Sequence, residues 1–146
     1  MLQYQKALEQ RNKLLKKFYE DRYFDEAMLQ LWDEQLVRLG MPIYGKRTLF
    51  LEKFIPIFNK YYTMISAVEE PVSIDYESQL HNEIFIDLLR NSWTKDAYTQ
   101  YTTVGVHKDD LIFKLGEELF PIKKFGSQGQ QKTFVLALKL AQFEYI

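Results

Sequence analysis

Apolar positions recur at helical spacing over most of this chain and switch to alternation in two short stretches. Tyr4, Leu8, Arg11, Leu15 and Phe18 follow a four–three spacing, which predicts a first helix over roughly residues 2–19. The acidic, aromatic stretch from Glu20 to Glu26 separates it from a second helix ending near Leu39. Gly40 reads as the residue just past that helix, and Pro42 as the first-turn proline of a third helix beginning near Ile43. In this third helix Phe50, Phe54, Ile57, Tyr61, Met64 and Val68 form one seam, and Leu51, Ile55, Phe58, Tyr62 and Ile65 a second beside it. So wide an apolar face needs partners on two sides, which predicts a bundle and not a two-stranded coiled coil, with Pro56 kinking the helix.

After Pro71 the pattern changes. VSIDY alternates as a short strand, and Leu80 to about Gln100 is helical again, with a break at Asn91 to Trp93. DLIFKL and ELFPI, joined at Gly116–Glu117, read as a hairpin whose second arm Pro121 confines to an edge or an end. An apolar helix from about Phe134 closes the chain. Helices, then strands, then a helix give an α+β fold that is mainly α, with residues 1–100 as a helical lobe and 101–146 as a separate segment.

Composition narrows the functional classes. With 146 residues, 47% hydrophobic and 16% aromatic, the chain can bury a core; a net charge of -1 argues against coating nucleic acid by bulk electrostatics, so DNA contact would need a local patch. The absence of cysteine excludes disulfides and thiolate zinc sites and is compatible with a reducing cytoplasm. No signal peptide or membrane span is predicted, since the longest apolar run, Phe134 to Leu138, ends at Lys139.

The candidate chemistry concentrates in FGSQGQQKT, Phe125 to Thr133, which opens directly into the last helix. A glycine-flanked serine at a helix start offers a hydroxyl and unpaired backbone N–H groups at the positive end of the helix dipole, a geometry that holds phosphate. Taken alone, Gly126–Ser127 also fits an ordinary cap and turn. A second glycine pattern, GMPIYGKR from Gly40 to Arg47, has the spacing of a phosphate loop. It lacks the final Ser or Thr, follows a helix where a strand is needed, and carries Pro42 within it, so it is read as a helix junction. His107, Asp109 and Asp110 cannot all converge on a metal from a strand and read as a polar turn with an aspartate bonding backbone N–H groups. The first helix carries Lys6, Arg11, Lys13, Lys16 and Lys17 against Glu9. Lys13, Lys16 and Lys17 are the candidate contacts to a phosphate backbone, against the alternative of a solvated face. Trp32 and Trp93 read as core and His81 as a surface residue.

Ser127, Gln128, Gly129 and Gln130, extended by Gln131 and Thr133, resemble the signature motif of ABC-type ATPases, and the longer string resembles the RecF family. Gly126 stands where most ABC signatures have leucine and Gln128 where they have glycine, both usual in this branch, while Lys132 replaces a more frequent arginine. YQKALEQRNKLL (Tyr4–Leu15), LWDEQLVRLG (Leu31–Gly40) and TTVGVHKDDLIF (Thr102–Phe113) resemble further blocks of that family in the same order. Val106 departs from its usual proline. The resemblance implies a helical lobe inserted in an ATPase head, followed by the return into the head with its signature helix. It implies that Ser127, Gln128, Gly129 and Gln130 face the γ-phosphate of ATP held by a second protomer. The family's phosphate loop and magnesium-binding acidic strand have no counterpart here, so the chain is expected to be an internal segment that is inactive and binds no cofactor alone, within a parent that uses ATP and Mg2+. The implied partners are DNA, an ATP-dependent homodimer and recombination mediator proteins. The implied setting is cytoplasmic DNA repair, replication, recombination and the SOS response, with no membrane. The rival readings are a non-catalytic helical interaction module and a segment of another SMC-type head.

Overall fold

The structure, a computed structural model, describes residues 1–66, 72–115, 120–121 and 128–146. Helix α1 spans Leu2–Asp21 and buries Tyr4, Ala7, Leu8, Arg11, Leu14, Leu15 and Phe18, the expected seam widened by its neighbours one helical turn away. It ends where Arg22 adopts a left-handed conformation, φ 53, and the Arg22 and Tyr23 N–H groups both donate to the Phe18 carbonyl.

Helix α2 runs from Glu26 to Ile65 and corrects the expected junction at Gly40 and Pro42. Neither the end near Leu39 nor a new start near Ile43 occurs. Gly40 is there for packing: a methyl group at its Cα would lie 2.7 Å from the Phe85 ring and 3.0 Å from that of Tyr4. Pro42 and Pro56 each remove a hydrogen bond to the carbonyl four residues earlier. Both prolines are exposed, as are Arg38 and Glu52, so those carbonyls lie on the solvent face. The buried line cuts across the two predicted seams: Leu51, Phe58 and Tyr62 of the second and Phe54 of the first are inside, while Phe50 and Met64 of the first are exposed. Val68 lies outside the described residues.

Strand β1 is Val72–Glu77. A short 3-10 turn, Gln79–His81, leads to helices α3 (Phe85–Asn91) and α4 (Trp93–Thr99), which part at Ser92 as the sequence predicts. A second 3-10 turn, Val106–Lys108, precedes β2 (Asp110–Leu115), β3 (Phe120–Pro121) and the last helix, α5 (Gln128–Tyr145). The strands form one antiparallel sheet in the order β1-β2-β3, with Val72 opposite Leu115, Ile74 opposite Phe113, and Leu115 opposite Phe120. Pro121 sits on the edge strand, where its missing N–H is tolerated; the connection at Gly116–Glu117 lies outside the described residues. The fold is α+β and mainly α.

The chain divides into two units: Met1–Lys46 with Ser78–Asp109, and Arg47–Glu77 with Asp110–Ile146. This differs from a single division after residue 100. The latter part of α2 and β1 belong with the C-terminal segment, because β1 hydrogen-bonds β2 and Phe54, Phe58 and Tyr62 share a core with Phe134.

The first unit has an apolar core of Tyr4, Leu8, Leu36, Phe85, Leu88, Leu89 and Val106. A satellite cluster of Leu14, Leu15, Phe18 and Leu29 has Trp32 and Trp93 half-buried against it. In the second unit one sheet face, with Ile74, Phe113 and Leu115, joins the α2 aromatics and the small-residue face of α5, Ala137 and Ala141. Phe134 is its hub, with ring centroids 4.6 Å from Phe58, 4.7 Å from Phe113 and 5.8 Å from Tyr62. On the opposite sheet face Lys114 pairs with Asp75 at 2.8 Å.

Candidate functional site

The second unit presents the start of α5. Burial of Phe134, Ala137 and Ala141 fixes which side of the helix faces inward, so its first turn lies at the surface. Gln128 and Gly129 are exposed and Gln130 is half-buried; Ser127 lies outside the described residues, as do Lys123 and Lys124. The Thr133 hydroxyl donates to the Gly129 carbonyl at 3.0 Å, inside the helix. A methyl group at Gly129 would meet no atom within 4 Å among the described residues. Nothing in the described fold therefore demands glycine here. Along the exposed side of α5, Gln128, Gln131, Lys132, Val135, Leu136 and Lys139 line an open groove of about 480 Å3.

The candidate phosphate contacts of α1 belong to the first unit. Lys13, Lys16 and Lys17 are all exposed, and none makes an ion pair among the described residues. Lys13 and Lys17, four apart on a helix, are neighbours on one face. Gln128, Gly129 and Gln130 thus open one helix and the lysines lie on another, in different units.

Arg11 leaves that basic set, since it is wholly buried. Its Nε donates to Asp33 at 2.7 Å, and its Nη1 donates to Asp96 at 2.7 Å and to the Thr102 hydroxyl at 3.0 Å. Trp93 Nε1 donates to the other Asp33 oxygen at 2.7 Å, and Ser92 and Thr103 complete the Asp96 carboxylate. Burial pushes the Asp33 carboxyl above its usual range, opposed by Arg11 and Trp93. Sequence reasoning missed Asp33, Asp96 and Thr102. The available signal was Arg11 at an apolar seam position, because a buried guanidinium requires carboxylate partners; which carboxylates could not be read locally, since they lie 22 and 85 residues away.

His107 is placed by packing. Its Nε2 lies 3.0 Å from the Thr102 carbonyl, which can only accept, so Nε2 carries the proton and Nδ1 accepts from the Tyr4 hydroxyl at 3.0 Å. Burial lowers the His107 pKa, with Lys108 adding to the effect, and burial raises that of Tyr4. Gly105 has φ +129, and a methyl group there would meet the Tyr4 hydroxyl at 2.6 Å. Asp110 accepts the Leu111 N–H at 2.9 Å. Among the described residues no three potential metal ligands converge. His81, exposed, meets the Tyr44 hydroxyl at 2.8 Å.

No family model matches the chain. It is 49% identical over 146 residues to the DNA replication and repair protein RecF of Flavobacterium johnsoniae, covering all of this chain and 40% of that protein. It is 44% identical to the RecF of Phocaeicola vulgatus, of which it covers 38%. A solved structure described as the recombination mediator protein RecF with ATP in the RecFOR pathway superimposes with a TM-score of 0.87 at 32% identity, over 98% of this chain and 40% of that one. The chain thus spans about two fifths of the length of the relatives it matches. Among the described residues no helix is long and apolar enough to cross a membrane.

Proposed function

The chain belongs to the RecF family along its whole length, and from that premise we propose that it supplies the helical lobe and the signature helix of a RecF-type ATPase head acting in DNA replication and repair. The first unit corresponds in this reading to the inserted lobe and the second to the return into the head. Two heads sandwich ATP, and Ser127, Gln128, Gly129 and Gln130 of one face the γ-phosphate held by the other. ATP, with its Mg2+, would supply a phosphoryl group whose charge is spread over its three outer oxygens. This chain's contribution is to bind and orient: the Ser127 hydroxyl and the Gly129 N–H donate to the phosphate oxygens, and the α5 dipole favours their charge. The observation that carries the reading is Gly129, a glycine that no other described residue crowds, on an exposed first helical turn of a chain similar from end to end to RecF proteins. Full-length similarity also disfavours an unrelated interaction module with a fortuitous turn.

The parent would bind DNA, partly through Lys13, Lys16 and Lys17, and work in the cytoplasm with recombination mediator proteins. In the full-length parent, Ser127→Arg should leave ATP binding intact, abolish ATP-dependent dimerisation in light scattering, and cut hydrolysis by about a hundredfold. ATP-dependent dimers in that variant would refute the assignment. Replacing Lys13, Lys16 and Lys17 by glutamine should weaken DNA binding without sequence preference and reduce the salt slope by about one for each phosphate no longer neutralised. An unchanged slope would leave α1 a solvated face.

A further inference from the structure

Where α1 ends, the first unit carries an open cleft of about 620 Å3 that neither the nucleotide reading nor the DNA reading uses. Its floor is aromatic: the Phe18 and Phe24 rings lie 5.1 Å apart, and Phe24 continues to Trp93 at 5.8 Å, with Ala97 of α4 leaving room beside them. Its walls are Tyr19 and Tyr23, which are 57% and 67% exposed although both line an apolar depression. The turn that presents Tyr23 is strained. Arg22, not glycine, takes the left-handed conformation, which costs on the order of 1 kcal/mol. Strain held in place by a firm helix end is one mark of a working surface.

The cleft itself is lined by one acid and one base, Glu20 and Arg22, and the chain segment that forms its mouth is acidic. From Tyr19 to Glu26 the chain carries Glu20, Asp21, Asp25 and Glu26 against Arg22 alone. Nucleic-acid phosphates entering the cleft would meet these carboxylates, whereas the lysines proposed for DNA lie earlier on α1. A small molecule is also a poor occupant, because small-molecule sites bury most of the ligand and these walls are themselves more than half exposed. Exposed tyrosines over an apolar floor are instead what protein interfaces use for their central contacts. A cationic side chain gains twice here, from the faces of the tyrosine rings and from the acidic rim.

We propose that this cleft is a docking site for a basic segment of a partner protein, with an arginine or lysine seated between Tyr19 and Tyr23 over the Phe18–Phe24 floor and Glu20 as its counter-charge. The site is independent of α5 and of nucleotide, so its test is separate from that of the signature.

The test measures binding of the full chain to three fluorescent probes: a short peptide rich in arginine with one phenylalanine, the same peptide with glutamate for arginine, and a single-stranded oligothymidine. The arginine peptide should bind and the glutamate peptide should not. Tyr23→Ser and Glu20→Lys should each weaken the arginine peptide by about tenfold or more, while Lys13→Gln should not weaken it. Both residues are exposed, and circular dichroism melts check that the variants stay folded. No binding of the arginine peptide, equal binding of the two peptides, or unchanged affinity in both variants would overturn the proposal. So would oligothymidine binding that Tyr23→Ser abolishes, which would make the cleft a base-stacking platform.

Discussion

The two units of this chain solve the problem of a core in opposite ways. The first buries a charged triad, Arg11 with Asp33 and Asp96, and a Tyr4–His107 pair, and packs so tightly at two points that only glycine fits, Gly40 and Gly105. The second packs apolar and aromatic groups about Phe134, and its ion pairs among the described residues, Lys60–Glu144 and Lys114–Asp75, stay near solvent. A buried polar network tolerates no substitution of a single member, because its partners are left charged and dry. Apolar packing is non-directional and leaves the second unit free to keep an open glycine at the start of α5. The first unit therefore specifies one arrangement strictly, and the second can present a surface.

The largest expected break in that contrast is Arg11→Ala. It strands two buried carboxylates and should cost about 3–5 kcal/mol, read by urea titration together with hydrogen exchange of α1 and α4 amides. A cost below about 1 kcal/mol would mean that the triad is not dry. The glycines come next. Gly40→Ala forces a methyl group against Phe85 and Tyr4 and should cost about 1–3 kcal/mol. Gly129→Ala meets no neighbour and should leave stability unchanged or raise it by up to about 1 kcal/mol, while impairing ATP-dependent dimerisation of the parent. Equal destabilisation at both positions would erase the distinction between a packing glycine and an approach glycine.

A smaller effect concerns pH. The unfolded His107 takes up its proton near pH 6.5, its ordinary value, whereas burial delays protonation in the folded chain to lower pH. Between those values the unfolded state binds more protons, so stability rises with pH through this window and is lost as pH falls through it. Asp33, whose carboxyl is raised, acts in the opposite sense as pH rises above its ordinary range. Comparing wild type with His107→Gln isolates the histidine: the variant should have a flatter stability profile below about pH 6.5. The smallest effect is Lys60→Ala, which removes an exposed pair and should leave the urea midpoint nearly unchanged, any shift shrinking as salt is added.

The signature pattern was visible because Ser127, Gln128, Gly129 and Gln130 are contiguous in the sequence, and the helix expected behind them starts at Gln128. The lysines of α1 were legible as exposed charges, but Arg11, which the charge pattern groups with them, belongs to the core. The cleft at Tyr19 and Tyr23 was not legible, since Ala97 reaches it from a distant part of the chain.

What the sequence determined by itself was everything governed by short-range period and chemistry. That includes α1, the alternation of β1, the break at Ser92, the pairing of β2 with β3, and α5 after its glycine-rich entry. The tertiary structure alone decided that α2 continues through Gly40, Pro42, Gly45 and Pro56. Local propensity penalises each of them, by roughly 1 kcal/mol for a glycine and 3 for a proline in a helix interior. The same helix buries Leu29, Leu36, Leu51, Phe54, Phe58 and Tyr62, at roughly 1.5–3 kcal/mol for each large apolar side chain, and that long-range gain outweighs the local penalties. It likewise decided the partners of Arg11, because a buried charge requires an opposite charge but nothing in its own helix says where along the chain that charge will be found.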